Sequence, residues 1–103
     1  MITTGEPPVP VYSGMVEDVL TGYPGVRAAA VIGVPGSGTG ETVVAFVVRA
    51  PGAGVTGEEL HDLVAGELGG AHTPREVRFV SELPVTHADK VDKRALRVRY
   101  HLE

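Results

Sequence analysis

The chain contains no cysteine, which excludes disulfide scaffolds, thiolate metal sites and cysteine nucleophiles. Its four histidines show no metal-ligand spacing, so no metal site is expected. No apolar run reaches the roughly 18 residues that a membrane span requires, and the N-terminus lacks the charged-then-apolar pattern of a signal peptide. These features favour a cytoplasmic protein that has no membrane as a partner.

Basic residues are also scarce. Nine lysines and arginines stand against 13 aspartates and glutamates, which gives a net charge of −4. Proteins that bind nucleic acids normally show the opposite balance, so no nucleic-acid partner is expected. A length of 103 residues allows one small domain with little interior volume for a deep active site.

The first half of the chain predicts a helix followed by a β-hairpin. Residues 1–12 carry three prolines and indicate an extended lead-in. Ser13 is a suitable N-cap for a helix that Gly22 ends. The apolar runs 26–34 and 42–49 are joined by a glycine-rich loop, which predicts two antiparallel strands. No lysine follows these glycines, so they indicate a hairpin connection and not a phosphate-binding loop.

The second half predicts a helix, a strand, a loop and a last helix. Thr56 has the spacing of a capping box, and the apolar stripe behind it predicts the second helix. The acidic residues of this helix fall on its polar face: Glu58, Glu59, Asp62 and Glu67. The alternating residues 76–83 predict a third strand, residues 85–90 a polar loop, and residues 91–100 a basic helix.

Together these elements predict a two-layer α+β domain with the order α-β-β-α-β-α. Its helices pack against a three-stranded mixed sheet. A right-handed crossover through the second helix makes the third strand parallel to the second. We expect the third strand to lie on the far side of the first, so that the first hairpin strand is central.

The segment with the most chemical information is the loop that ends in Lys90. A lysine on a loop between a strand and a helix is a residue that a rigid scaffold can present to a ligand. Its ammonium group suits a carboxylate or phosphate whose charge increases in a transition state. The residues alone favour the simpler interpretation, which is an ordinary exposed lysine in a polar loop.

Four segments, in order along nearly the whole chain, resemble the C-terminal domain of the adenylate-forming AMP-binding enzymes. That superfamily includes acyl-CoA synthetases, adenylation domains of nonribosomal peptide synthetases, and luciferases. The segments are VEDVL at 16–20, YPGVRAAAVIGVP at 23–35, GETVVAFVV at 40–48, and LPVTHADKVDKRAL at 83–96. The last is similar to the terminal family motif in which a glycine and then an invariant lysine follow Leu-Pro-x-Thr.

The resemblance implies that the chain is a mobile lid, with Lys90 as the catalytic residue. Thr86 and Asp89 would form the substrate-positioning loop. In this family the lysine acts while ATP and a carboxylic acid form an acyl-adenylate and pyrophosphate, and the lid then rotates for thioester formation. The assembled enzyme would use ATP with Mg²⁺, and CoA or phosphopantetheine. The implied partners are a large N-terminal adenylate-forming domain, in cis or in trans, and an acyl or peptidyl carrier protein.

Two departures from the family pattern support an alternative function. Asp89 stands where the family has glycine, and its charge opposes an anion approaching Lys90. The start of the lid also differs, with Gly5-Glu6-Pro7 in place of Gly-Glu-Asn. The alternative is a non-catalytic interaction or regulatory module that binds an adenylation or carrier protein, whereas Thr86, Lys90 and Arg94 favour the catalytic lid.

The predicted domain boundaries follow from the same resemblance. Residues 13–101 would form the lid domain, and residues 102–103 are expected to be the remnant of an affinity tag. The family's phosphate loop and acyl pocket lie in its large domain, so no adenylating activity is expected of these 103 residues alone.

Overall fold

The computed structural model describes residues 2–4, 9–35, 41–88 and 90–102. Most of the predicted hairpin connection, residues 36–40, therefore lies outside the described residues. The elements are β1 (Ile2–Thr4), β2 (Val9–Val11), α1 (Ser13–Thr21), β3 (Val26–Pro35), β4 (Glu41–Arg49), α2 (Gly57–Leu68), β5 (Glu76–Phe79) and α3 (Lys93–Leu102). A short 3₁₀ turn, Gly70–His72, follows α2. The predicted α+β class and the order of helices and central strands are confirmed.

The three-stranded sheet has the order β3-β4-β5. β3 and β4 are antiparallel, with Val31 opposite Ala45, and β5 runs parallel to β4, with Val77 beside Ala45. The parallel relation is confirmed, but the prediction that the first hairpin strand is central is wrong. β4 is the central strand.

The reason lies at the outer edge of β3. The backbone amide of Val31 donates to a Glu17 carboxylate oxygen from α1 at 2.8 Å, and the carbonyl of Gly33 accepts from the Arg97 guanidinium of α3 at 3.4 Å. Side chains therefore occupy backbone groups that a third strand would need. The crossover through α2 instead brings β5 to the free edge of β4.

The hydrophobic core is divided between the two faces of this sheet. Alternate residues of β3 and β4 point to opposite faces because a strand has a side-chain period of two. One face packs against α1 and α2, and its largest buried side chains include Leu20 and Leu60. The opposite face contains Ile32, Phe46 and Leu96, so α3 covers part of it.

The predicted N-cap is confirmed for α2 and is wrong for α1. Thr56 caps α2 as predicted, because its hydroxyl accepts from the amide of Glu59 at 3.2 Å. Ser13 is not an N-cap: α1 begins at Ser13, and its N-cap is Tyr12 without a side-chain bond. The Ser13 hydroxyl instead accepts from the ammonium of Lys93 at 3.0 Å. The Ser13 hydroxyl thus forms a long-range bond with α3 instead of the local N-cap bond that the sequence predicts.

The third strand and the last helix differ in extent from the prediction. β5 ends at Phe79, although alternation predicts a strand to residue 83. Val80 and Leu83 pack on the face that α3 covers, so the chain leaves the sheet to cross to that face. α3 begins at Lys93 because Asp92 caps it, its carboxylate accepting from the amide of Ala95 at 3.1 Å.

The lead-in contains a further pair of strands. β1 and β2 pair antiparallel, with Ile2 opposite Val11, and Val11 is fully buried in the main core. Within the described parts of the chain, no helix has the length and apolar character that crossing a membrane requires.

Leu96 holds α3 on the sheet, because its side chain is fully buried whereas Val98 of the same helix is 55% exposed. Leu96→Ala is expected to lower the free energy of unfolding by about 2 to 5 kcal/mol, since it removes buried methyl groups and leaves a cavity. The matched control Val98→Ala should change it by less than about 0.5 kcal/mol. Urea unfolding measures both, and equal effects would contradict this packing of α3.

Tyr23 joins the end of α1 to α2, because its hydroxyl donates to a Glu59 carboxylate oxygen at 2.8 Å. This bond, and the nearby negative charge, raise the pKa of Tyr23 above its ordinary value of about 10. The stabilising effect of the neutral phenol is therefore present below pH ~10 and is lost as pH rises through the folded-state pKa. In an NMR titration, Glu59→Ala should lower the pKa of Tyr23, whereas Glu58→Ala should not.

Candidate functional site

Residues 84–88 and 90–92 form two legs that are joined by backbone bonds. Val85 and Val91 form an antiparallel bridge. The amide of Thr86 donates to the carbonyl of Lys90 at 2.7 Å, and the amide of Asp92 donates to the carbonyl of Pro84 at 2.8 Å. We call these residues, 84–88 and 90–92, the lysine hairpin. The predicted polar loop is therefore a closed turn with Lys90 on its returning leg.

Thr86 shapes the tip of the lysine hairpin. Its hydroxyl accepts from the amide of Ala88 at 3.3 Å, a local bond typical of serine and threonine turns. The structure thus brings the backbones of Thr86 and Lys90 together. Asp89, the third predicted site residue, lies outside the described residues.

Lys90 is exposed. Among the residues that the structure describes, none forms an ion pair or side-chain hydrogen bond with its ammonium group. A flexible four-carbon stem therefore carries a solvated positive charge that is available to an anion. Such a charge can bind a carboxylate or a phosphate.

Lys93, three positions later, has the opposite environment. Its ammonium lies 2.9 Å from a carboxylate oxygen of Glu17 and 3.0 Å from the hydroxyl of Ser13. Both charged side chains are partly buried, with 32% of Lys93 and 22% of Glu17 exposed. The geometry therefore distinguishes two lysines of one motif: Lys93 is bound to α1, whereas Lys90 has no side-chain partner among the described residues.

Glu17, Lys93 and Ser13 were not predicted as site residues. The one sequence signal for Glu17 and Lys93 is that both lie in segments that carry the family resemblance. Nothing local pairs them, because Glu17 and Lys93 are 76 positions apart. The contact exists only because α1 and α3 meet at the edge of β3.

The wider surroundings of the lysine hairpin are basic. Five of the nine lysines and arginines lie within residues 90–99, in a chain of net charge −4. Arg94 and Arg97 are exposed beside the first turn of α3. This local excess of positive charge favours an anion near Lys90 more than the overall charge suggests.

The described pockets do not provide a binding site for a nucleotide. Two shallow pockets have cavity volumes of about 240 Å³ each, one beside His61 and Arg75, the other between Asp18 and Leu63. Pockets that bury drug-sized ligands occupy roughly 300 to 1,000 Å³. Lys90 lines neither pocket. No group of three or more metal-ligating side chains occurs within the described ranges.

Comparison with known proteins gives one consistent result. A family model, the AMP-binding enzyme C-terminal domain, matches residues 15–90. The chain is 42% identical over 90 residues to a feruloyl-CoA synthase of Amycolatopsis, an alignment that covers 87% of this chain and 18% of the relative. It is 38% identical to the fatty acid–[acyl-carrier-protein] ligase ScoC of Streptomyces coeruleorubidus, which covers 87% of this chain and 17% of the relative.

Solved structures show the same similarity. The amide bond synthetase McbA from Marinactinospora thermotolerans superposes with a TM-score of 0.88 at 48% identity, over 97% of this chain and 20% of that chain. Apo MatB from Rhodopseudomonas palustris gives a TM-score of 0.88 at 38% identity, over 97% of this chain and 19% of that chain.

The chain thus spans less than a fifth of the curated relatives described above. Its matched part includes most of α1, all of α2 and the three-stranded sheet, and most of the lysine hairpin, and it ends at Lys90. The chain belongs to the family of AMP-binding enzyme C-terminal domains.

Proposed function

We propose that this chain is the lid of an adenylate-forming ligase and that Lys90 is its catalytic residue. The observation that carries the proposal is the contrast between the two lysines of the motif. Lys93 is bound to Glu17 and Ser13, whereas the ammonium of Lys90 is exposed on a closed hairpin above a rigid core. A free cation in a fixed place suits an active site that a partner domain completes.

In the proposed first step, an oxygen of the substrate carboxylate attacks the α-phosphorus of ATP. The bond from that phosphorus to the bridging oxygen breaks, and pyrophosphate leaves with the electron pair. Lys90 would interact with the negative charge of the carboxylate and the α-phosphate as the two approach. Its role is electrostatic and positional, with no proton transferred, and such preorganised charges are among the largest contributions to catalysis.

The second step would transfer the acyl group to a thiol. The thiol loses its proton to solvent, its sulfur attacks the acyl carbonyl carbon, and the bond from that carbon to the phosphate oxygen breaks, so that AMP leaves with the electron pair. A carrier-protein ligase and a CoA synthase both occur among the relatives, so the proposed acceptor is the thiol of CoA or of phosphopantetheine on a carrier protein. The lid would rotate between the two steps, as lids commonly do.

A large N-terminal domain must supply the substrate pockets. The described pockets of about 240 Å³ are too small for ATP, and the relatives are more than five times as long as the matched segment. The residues present therefore fit one contact to ATP, through Lys90, and would hold neither the nucleotide nor its Mg²⁺ by themselves. We propose that this domain acts in cis or in trans, in the cytoplasm, where ATP and CoA are available.

A chimera tests the proposal. This chain would replace the 90 matched residues of the feruloyl-CoA synthase, and ferulate-dependent release of pyrophosphate from ATP would be measured. The chimera should be active, and Lys90→Ala should lower the rate about 100-fold or more, because it removes the charge that stabilises the transition state. Lys90→Arg keeps the charge in a different geometry and should retain an intermediate rate.

The matched control is Arg27→Ala, which removes an exposed positive charge on β3, outside the lysine hairpin and α3. It should leave the rate within about twofold. A chimera no more active than the large domain alone would contradict the lid function. An active chimera that Lys90→Ala leaves unchanged would refute the catalytic role and support the non-catalytic module, in which the lid fold only binds its partner.

A further inference from the structure

We infer that Glu17 and Lys93 are positioning residues that hold Lys90 in place, a role that rests on the proposed function of Lys90. Neither residue is expected to touch substrate. Each acts through the lysine hairpin, whose second leg leads directly into α3. We call the Glu17, Lys93 and Ser13 contacts the α1–α3 clamp.

The α1–α3 clamp joins three elements at one carboxylate oxygen. Glu17 Oε2 accepts from the Val31 amide of β3 at 2.8 Å and lies 2.9 Å from the Lys93 ammonium of α3. The same ammonium donates to Ser13 of α1 at 3.0 Å. Because both charges are partly buried, loss of either one leaves the other without its partner in a poorly solvated place.

The position of Lys93 in the chain connects the clamp to Lys90. Lys93 is the first residue of α3, and the preceding residue, Asp92, closes the hairpin through its bond to Pro84. Asp92 also caps α3 by accepting from the amide of Ala95. The end of the hairpin is thus a rigid joint, and the clamp fixes the direction in which α3 leaves it.

Leu96 and Arg97 supply two other attachments of α3, because the Leu96 side chain is fully buried against the sheet and the Arg97 guanidinium donates to the carbonyl of Gly33. With these attachments alone, the first turn of α3 could shift, and the lysine hairpin would shift with it. The clamp adds an attachment at Lys93, where α3 begins. An ammonium that must approach two anions needs such a fixed base, since a displacement of about 1 Å can cost about 100-fold in rate.

The first experiment measures the hairpin itself, in this chain, by amide hydrogen exchange. Lys93→Met removes the ammonium, and Glu17→Gln removes the charge while keeping an oxygen that can accept from Val31. Both should speed exchange of the Thr86 and Asp92 amides about tenfold, because these amides close the hairpin. The amides of β4 should keep their rates. The matched control is Arg94→Met, which deletes the neighbouring exposed charge and should change none of them.

The second experiment measures catalysis in the chimera described above. Lys93→Met should lower kcat for pyrophosphate release about tenfold and leave KM for ATP unchanged, since the nucleotide pocket lies in the large domain. Lys93→Arg preserves the ion pair and should restore most of the rate. In the Lys90→Ala background, Lys93→Met should have no further effect, because its only route to the reaction is through Lys90.

Two results would overturn the inference. Unchanged exchange of the Thr86 and Asp92 amides in Lys93→Met would show that the clamp does not hold the hairpin. An equal loss of rate with and without Lys90 would show that Lys93 only stabilises the fold. A different result would contradict the proposed function: Lys90→Ala alone leaves the rate of pyrophosphate release unchanged. The hydrogen-exchange experiment does not depend on that result.

Discussion

The outer edge of β3 is the constraint on which the rest of the structure depends. An edge strand presents backbone groups that must find partners, and here two of them bind side chains: the Val31 amide binds Glu17, and the Gly33 carbonyl binds Arg97. These contacts bring α1 and α3 to the same edge. Because the edge of β3 is occupied, β5 pairs with the edge of β4. The contacts at the edge of β3 therefore determine both the strand order and the placement of the last helix.

The same edge gives two lysines of one motif different environments. Lys93 reaches back to Glu17 and Ser13, where its charge is neutralised in a partly buried site. The Lys90 side chain extends from a hairpin that backbone bonds close, one of them accepted by the Lys90 carbonyl. No described contact of the Lys90 ammonium holds this loop, so the ammonium is available to bind an anion. This arrangement separates the structural cation from the one that can approach a substrate.

The described part of the domain is packed on both faces of its sheet, by α1 and α2 on one side and α3 on the other. Its two described pockets are small, and Lys90 lines neither of them. Under the proposed function, this domain would contribute a positioned charge to an active site, and a larger domain would contribute the pockets. Family membership and the length of the relatives support that proposal.

Local physics in the sequence determined most of the elements. Signals that act within a few residues predict their elements. They are the capping box at Thr56, the glycines that follow α1 and α2, and the β-branched runs of the hairpin strands β3 and β4. The terminal motif singled out Lys90 only through its resemblance to a family. What the tertiary structure decided involves groups far apart in the chain: the central position of β4, the early end of β5, and the partners of Ser13, Glu17 and Lys93. The bond between the Val31 amide and the carboxylate of Glu17, 14 positions earlier, produces no periodic pattern in the sequence. It depends on how α1 packs against the edge of β3.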